Sequence, residues 1–168
     1  MRHGKHVHAV VVRPLVVAML AVLTASSASA HKGLFIVRHA EKASSTDPDT
    51  ALSMQGEDRA SALARLLRNA HVTDVFTTEF KRTQQTVEPL TLQRGLEAKT
   101  IAAKDTAVLV TALKALKPDA VAVVAGHSDT IPEILKGLGI KDKITIREDQ
   151  YNRIFFLTPD NQLIELGF

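Results

Sequence analysis

Two short apolar runs, far apart in the chain, each lead into a histidine. Residues 34–37 run directly into Arg38 and His39, and residues 120–125 run through a glycine into His127. Short apolar runs of this kind are typical of strands that are buried on both faces of a parallel sheet. Side chains that follow the carboxyl ends of such strands converge at one edge of the sheet, where these folds bind ligands. We therefore expect the two histidines to face each other across one crevice.

The first thirty residues have the composition of a secretory signal peptide. A basic segment precedes an apolar stretch at 15–23, and Ala28-Ser29-Ala30 matches the small-residue pattern of a cleavage site. The apolar stretch is shorter than the roughly 20 residues that span a bilayer, which argues against a permanent membrane anchor. The sequence predicts a signal peptide at 1–30, one domain at 31–168, and a periplasmic or secreted protein.

Charge and composition narrow the partners of the predicted mature chain. Three of the 21 basic residues and none of the 18 acidic residues precede His31, so the remaining 138 residues carry 18 charges of each sign. This balance gives no basis for binding nucleic acid or an acidic membrane surface. The chain has no cysteine, which excludes disulfides and thiolate metal ligands. No coiled-coil pattern indicates an oligomer, and the oligomeric state stays open.

Strand-like and helix-like segments alternate along the mature chain. The sequence predicts strands at 34–37, 72–77, 99–102 and 120–125, helices at 53–69, 80–93, 106–116 and 131–138, and two final strands at 153–157 and 162–166. The alternation predicts a three-layer α/β/α domain with a mostly parallel central sheet. The turn composition between the last two strands predicts a C-terminal antiparallel hairpin near an edge of the sheet.

Four residues beyond predicted strand ends, Arg38, His39, Arg82 and His127, have the chemistry of phosphoryl transfer. Two guanidinium groups can hold a phosphoryl group while one imidazole attacks phosphorus and the other stabilises its oxygens. The arginines also disfavour protonation of an imidazole, so we expect a neutral His39 and, beside a bound phosphate dianion, a protonated His127. A metal site formed by His39, Glu41 and His127 is the competing interpretation, and the adjacent arginines oppose a cation there.

Four sequence blocks resemble the histidine phosphatase superfamily, which includes the phosphoglycerate mutases and the short phosphohistidine phosphatases. The blocks are the strand-Arg-His motif at 35–42, the Leu-Ser-x-x-Gly start of a helix at 52–56, the second-arginine block at 77–86 and the Gly-His-Ser-x-Thr block at 126–130. The resemblance implies that His39 is the nucleophile that becomes phosphorylated. It also implies that Arg38, Arg82 and His127 form the phosphate pocket, with no metal and no organic cofactor.

The chain departs from the family pattern in the general acid that protonates the leaving group. Family members usually supply a carboxylate from the segment between the second arginine and the second histidine, which here has only 44 residues. Asp105, after the third predicted strand, is the first candidate, followed by Glu79 and Asp129. Asp105 could instead simply cap the following helix, because Asp is a preferred N-cap residue.

The short segment also leaves little chain for a lid over the pocket. An uncovered site suits bulky substrates, so a phosphorylated protein side chain or glycan is as suitable a partner as a phosphorylated small molecule. The sequence therefore predicts a metal-independent phosphatase that hydrolyses phosphomonoesters or phosphoramidates through a phosphohistidine on His39. The alternatives are an exported phosphate-recognition protein with little turnover and, less favoured, a phosphomutase. Specificity is expected in residues 43–50 and 136–149, which contain no recognisable motif.

Overall fold

A computed structural model of the protein describes Met1 and residues 31–168. The predicted signal peptide therefore lies outside the described residues, apart from its first methionine. The described elements, in chain order, are β1 (Gly33–Arg38), α1 (Met54–Leu67), β2 (Asp74–Thr77), α2 (Lys81–Arg94), β3 (Ala98–Thr100), α3 (Thr106–Lys114), β4 (Val121–Gly126), α4 (Thr130–Gly137), β5 (Arg153–Leu157) and β6 (Leu163–Gly167). Within this part of the chain, no helix is long and apolar enough to cross a membrane.

The strands form one sheet in the order β3-β2-β4-β1-β5-β6. The pairs β1–β4, β2–β4 and β2–β3 are parallel, whereas β5 pairs antiparallel with both β1 and β6. This arrangement confirms the mostly parallel sheet and the C-terminal antiparallel hairpin, whose second strand forms one edge of the sheet.

Helices cover both faces of the sheet, which confirms the three-layer architecture. Alternate residues of β1 point to opposite faces, so that Leu34 and Ile36 join one core cluster and Val37 joins the other. The first cluster includes Leu113 of α3 and side chains of α4, and the second includes Leu63 of α1 and side chains of α2. Full burial of a side chain such as Leu113 stabilises the fold by about 1.5–3 kcal/mol.

The register of β1 and β4 places the two histidine motifs side by side. Arg38 at the end of β1 pairs with Gly126 at the end of β4, and the backbone N–H of His39 donates to the carbonyl of Gly126 over 2.9 Å. His39 and His127 are therefore each the first residue beyond two neighbouring strands in the middle of the sheet. This is the convergence that the two apolar runs predict.

The start of α1 explains why Ser53 and Gly56 occupy the Leu-Ser-x-x-Gly block. The Ser53 hydroxyl accepts a hydrogen bond from the backbone N–H of Gly56 at 3.2 Å and so caps the helix. A Cβ on Gly56 would collide with the backbone oxygen of Glu41, two residues after His39. The glycine therefore permits α1 to approach the segment that follows β1.

The structure differs from the sequence prediction mainly at element ends. Strand β3 is three residues long and exposed, because it lies at an edge of the sheet, and it ends two residues earlier than predicted. The strand predicted at 162–166 lies one residue later, at Leu163–Gly167. The connection from α4 to β5, residues 138–152, reaches the end of β1 and supplies backbone carbonyls to Arg38.

Candidate active site

The four residues predicted to carry the chemistry line one cavity at the carboxyl ends of β1, β2 and β4. Arg38, His39, Arg82 and His127 all contribute to its wall, and its volume is about 550 Å³. The imidazole rings of His39 and His127 meet edge to face, with 5.3 Å between their centroids. Lys42 and Lys104 also line the cavity and add positive charge. The structure thus brings together every predicted residue of the phosphate pocket.

The His39 ring is oriented by its own backbone neighbourhood. Its Nδ1 lies 2.8 Å from the carbonyl oxygen of Ala40, and the Ala40 N–H donates to the Thr86 hydroxyl at 2.9 Å. A carbonyl only accepts hydrogen bonds, so Nδ1 carries the hydrogen and Nε2 carries the lone pair. Within residues 31–168, Nε2 has no hydrogen-bond partner. His39 therefore presents a lone pair that is suited to attack.

Burial keeps both histidines neutral in the free protein at pH 7. Burial is the largest cause that lowers the pKa of His39, to about 3, and the positive groups around the ring add to it. Burial and then the Arg82 charge lower the pKa of His127 to about 4. The two arginines alone predict a lowered pKa for His39, whereas the structure makes desolvation the larger cause. A protonated His127 requires a bound anion, as the sequence analysis expected.

Arg38 is buried and held by the connection between α4 and β5. Its Nη1 donates to the carbonyls of Arg147 and Glu148 at 2.9 Å and of Gln150 at 3.3 Å, and its guanidinium lies 4.2 Å from the centre of the Tyr151 ring. Its Nη2 donates to the Glu148 carboxylate at 3.0 Å. Five contacts thus fix the plane of the guanidinium.

Arg82 projects from the first turn of α2 and is held from the opposite side. Its Nη1 donates to the Pro48 carbonyl at 2.7 Å, and its guanidinium lies 4.2 Å from the centre of the Phe80 ring. The segment 43–50, which the sequence analysis associated with specificity, therefore also positions this arginine.

Both arginines retain a buried donor without a partner. The Nε atoms of Arg38 and Arg82 are buried, and neither has a hydrogen-bond partner within the described residues. A buried donor that lacks an acceptor costs free energy, and a charged donor costs more. A tetrahedral oxyanion between the two guanidinium groups would supply acceptors to both. The donor set therefore fits phosphate.

The three candidate acids differ in their relation to the cavity. Asp105 immediately precedes α3 but does not line the cavity, and its side chain caps no backbone N–H of the helix. Glu79 accepts a hydrogen bond from the Ala103 N–H at 2.8 Å. Asp129 lines the cavity next to His127 and accepts from the Thr130 N–H at 2.9 Å. Asp129 is therefore better placed than Asp105, although Ala103 and Lys104, just before Asp105, do line the cavity. The role of Asp105 as the general acid stays a prediction.

Sequence reasoning missed Glu148, Tyr151 and Thr78 as parts of the site. Glu148 and Tyr151 contact Arg38, and the Thr78 hydroxyl lies 3.0 Å from Nε2 of His127. Of these three residues, only Thr78 lies in one of the four sequence blocks, near the start of the second-arginine block at 77–86. The other two lie in a long connection whose path no local pattern indicates.

The described residues contain no cluster of three or more His, Asp or Glu side chains with the arrangement of a metal site. Glu41, which the sequence analysis considered as a metal ligand, instead forms a half-buried ion pair with Arg59 at 2.7 Å. That carboxylate is therefore turned towards α1, where it joins the segment after His39 to the helix.

Comparison with known proteins gives one family and many related folds. Residues 34–103 match the family model of the histidine phosphatase superfamily (branch 1). No curated protein sequence matches the chain.

Two solved structures illustrate the shared fold. The protein histidine phosphatase SixA complexed with tungstate is 18% identical, with 80% of this chain and 96% of that chain covered and a TM-score of 0.63. A mycobacterial glucosyl-3-phosphoglycerate phosphatase in complex with inorganic phosphate is 14% identical, with 82% and 95% covered and a TM-score of 0.63. The family match contains Arg38, His39 and Arg82. Residues 34–103 thus resemble the histidine phosphatase superfamily, branch 1, and the described chain shares the fold of these phosphatases.

Proposed function

We propose that this protein is a phosphatase that passes a phosphoryl group from its substrate to Nε2 of His39 and then to water. The observation that carries this proposal is the orientation of His39. Its Nδ1–H is tied to a backbone carbonyl, its Nε2 lone pair is available, and its pKa is lowered to about 3. Two arginines with buried, unpartnered Nε atoms line the same cavity. A neutral nucleophile beside an anion-binding pair is the arrangement that phosphoryl transfer requires.

In the first step, Arg38 and Arg82 hold the phosphoryl oxygens and Nε2 of His39 attacks phosphorus. The N–P bond forms while the bond from phosphorus to the leaving oxygen or nitrogen breaks. The leaving group takes a proton from Asp129 or from water, and preorganised donors stabilise the negative charge that develops on the oxygens.

In the second step, water attacks the phosphorus of the phosphohistidine. The new O–P bond forms as the N–P bond breaks, and the lone pair returns to Nε2 of His39. The carboxylate that released a proton in the first step takes one from water, which restores the starting state together with inorganic phosphate.

For the substrate we propose a phosphomonoester or a phosphoramidate. The solved relatives are described as a protein histidine phosphatase and a glucosyl-3-phosphoglycerate phosphatase, so one precedent is a protein side chain and the other a phosphorylated sugar acid. The short segment between Arg82 and His127 supports hydrolysis rather than mutase chemistry, since a mutase must shield its intermediate from water. No metal or organic cofactor is part of this proposal.

The test is phosphate release by the protein purified from cells that express the full chain. An aryl phosphate and a phosphohistidine peptide serve as substrates, with a chelator present and His39→Ala run alongside. We expect release that persists in the chelator and is lost in the variant. Absence of release from a folded protein that still binds vanadate would contradict the proposal and favour a phosphate-recognition role.

We further propose that the protein is exported to the periplasm or beyond. The support is the basic, apolar and small-residue order of residues 1–30. N-terminal sequencing of the protein recovered from a periplasmic extract should begin at His31. Recovery of the uncleaved chain from the cytoplasm alone would refute this part of the proposal.

A further inference from the structure

Thr78 contacts the ring of His127 directly. It follows β2 and is buried, and its hydroxyl oxygen lies 3.0 Å from Nε2 of His127 and 2.9 Å from the hydroxyl of Thr83. Thr83 lies in α2 and is fully buried. Because the Thr78 and Thr83 side chains are buried, the hydrogen bonds of their hydroxyl groups must be satisfied by neighbouring protein groups.

The direction of each hydrogen bond follows from the carbonyl at one end of the chain. The Thr83 hydroxyl lies 2.8 Å from the Phe80 carbonyl, which only accepts, so Thr83 donates there. The Thr83 oxygen is then an acceptor, and both the backbone N–H of Thr78 at 3.3 Å and the Thr78 hydroxyl donate to it. The Thr78 oxygen in turn accepts from His127, whose hydrogen must lie on Nε2.

The two histidines are thereby held in opposite tautomers. The Ala40 carbonyl places the hydrogen of His39 on Nδ1, while Thr78 places the hydrogen of His127 on Nε2. His39 presents its Nε2 lone pair and His127 presents its Nδ1 lone pair. Edge packing of the Phe80 ring, 5.4 Å away at 88°, limits rotation of the His127 ring about this hydrogen bond.

We propose that Thr78, held by Thr83, is a positioning residue that fixes His127 as the Nε2–H tautomer and directs Nδ1 at the phosphoryl group. This inference rests on the proposed phosphatase function. When the phosphoryl group enters as its monoanion, the O–H bond of its P–OH group breaks and an Nδ1–H bond forms, while the P–O bond stays intact. The products of that transfer are a phosphoryl dianion and an imidazolium, which donates back to the oxygen it deprotonated.

The charges around His127 are suited to this transfer. Arg82 and Arg38 disfavour the imidazolium in the free protein, Asp129 and Glu79 favour it, and neutral His39 lies across the cavity. Glu148 lines the cavity on the side of Arg38. A bound anion offsets the two arginines, so His127 gains a proton only when substrate is present.

The first test uses ring ¹⁵N NMR of wild-type protein, with His127→Gln to assign the signals. We expect hydrogen on Nε2 of His127 in the free protein and on both nitrogens when vanadate is bound. A free ring that carries its hydrogen on Nδ1, or a vanadate complex in which Nδ1 stays unprotonated, would overturn the inference. This measurement needs no variant at Thr78 and so does not depend on how well such a variant folds.

The second test compares Thr78→Val, Thr78→Ser and the exposed control Thr111→Val for kcat/KM and for the His127 tautomer. We expect Thr78→Val to lower kcat/KM by about 10- to 100-fold, since a misplaced catalytic group costs rate on this scale. In the same variant, the hydrogen of His127 should no longer be confined to Nε2. Thr78→Ser should restore both, and Thr111→Val should change neither. If Thr78→Val lost activity while His127 kept its Nε2–H tautomer, Thr78 would act only through packing, and the inference would be overturned.

These tests separate failure of the inference from failure of the proposed function. If wild-type protein released no phosphate, the proposed function would fall, and the vanadate-bound NMR spectrum would still decide which nitrogen of His127 faces the anion. If phosphate release were normal and the tautomer were the opposite one, only the role of Thr78 would fall.

Discussion

Arg38 and Glu148 form a contact that competes with anion binding. The carboxylate occupies Nη2 of Arg38 at 3.0 Å, and it also accepts from the Ser128 hydroxyl at 3.2 Å. Its side chain is 81% exposed, so the ion pair contributes little to stability, about 0–1 kcal/mol. A phosphoryl oxygen seeks the same donor, and the negative charge of Glu148 opposes its approach.

We therefore expect Glu148→Gln to bind vanadate about 3- to 10-fold more tightly, because a like charge near the anion is removed and about 1 kcal/mol corresponds to this change. The inhibition constant of vanadate is the quantity to measure. Asp142→Asn, an exposed charge change in the loop after α4, controls for net charge and should leave the constant unchanged. Weaker binding in Glu148→Gln would instead mean that the carboxylate is needed to orient Arg38.

Asp129 and Asp105 offer a matched pair for locating the general acid. Asp129 lines the cavity and Asp105 does not. We expect Asp129→Asn to lower turnover of an alkyl phosphate by about 10²-fold or more, and of an aryl phosphate much less, because a good leaving group needs no proton. Asp105→Asn should retain turnover of both substrates. Equal losses for the two substrates in Asp129→Asn would argue against proton donation.

At the scale of residues, the sequence indicates the groups that follow strand ends and misses those that arrive from elsewhere. Arg38, His39 and His127 stand directly beyond apolar runs, and Arg82 stands in a recognisable block. Glu148 reaches the cavity only because a fifteen-residue connection, 138–152, folds back over the end of β1. The position of Asp105 after a strand makes it a candidate acid, but only its neighbours Ala103 and Lys104 line the cavity.

At the scale of elements, α1 approaches the segment after His39 closely because residue 56 is a glycine, which has no side chain. Gly56→Ala would place a Cβ against the backbone oxygen of Glu41, which cannot rotate away as a side chain can. We expect a loss of about 1–3 kcal/mol in the free energy of unfolding, the usual range for overpacking. Urea unfolding measures it, with the exposed Gln55→Ala as the control on the same helix. A Gly56→Ala protein of wild-type stability would show that the two segments can separate.

The order and type of the elements follow from periodicity, whereas the order of strands in the sheet does not. Apolar runs and helical spacing are local properties, so they predicted every helix and strand to within a few residues. The strand order β3-β2-β4-β1-β5-β6 depends on how the side chains of all strands and helices pack together, and this is a property of the whole core. The edge strands β3 and β6 have the weakest apolar patterns, because most of their side chains are exposed.

At the scale of the whole molecule, the buried histidines link stability to pH. The pKa values of His39 and His127 are lowered to about 3 and about 4, while an exposed histidine in the unfolded chain titrates near 6.5. Below pH 6.5 the unfolded chain therefore takes up protons that the folded protein does not. Burial also lowers the pKa of His31, which acts in the same direction.

We expect the free energy of unfolding to be constant above about pH 7 and to fall as pH decreases from 6.5 towards 4, by up to about 1.4 kcal/mol per pH unit for each buried histidine. Urea unfolding at pH 7.5 and pH 5.5 measures the change. The double variant His39→Gln, His127→Gln should lose most of this dependence. A double variant with the wild-type pH slope would assign the effect to other groups.

The pairing of Arg38 with Gly126 gives the two halves of the phosphate pocket different freedom to open. The amide of His39 belongs to the hydrogen-bond ladder of the two central strands, so its exchange with solvent deuterium requires disruption of the core itself. The guanidinium of Arg82 instead donates to the Pro48 carbonyl, which belongs to a surface loop. Such a loop can open by local fluctuations that leave the sheet intact. One wall of the pocket thus has the rigidity of the folded core, while the other can adjust to leaving groups of different size.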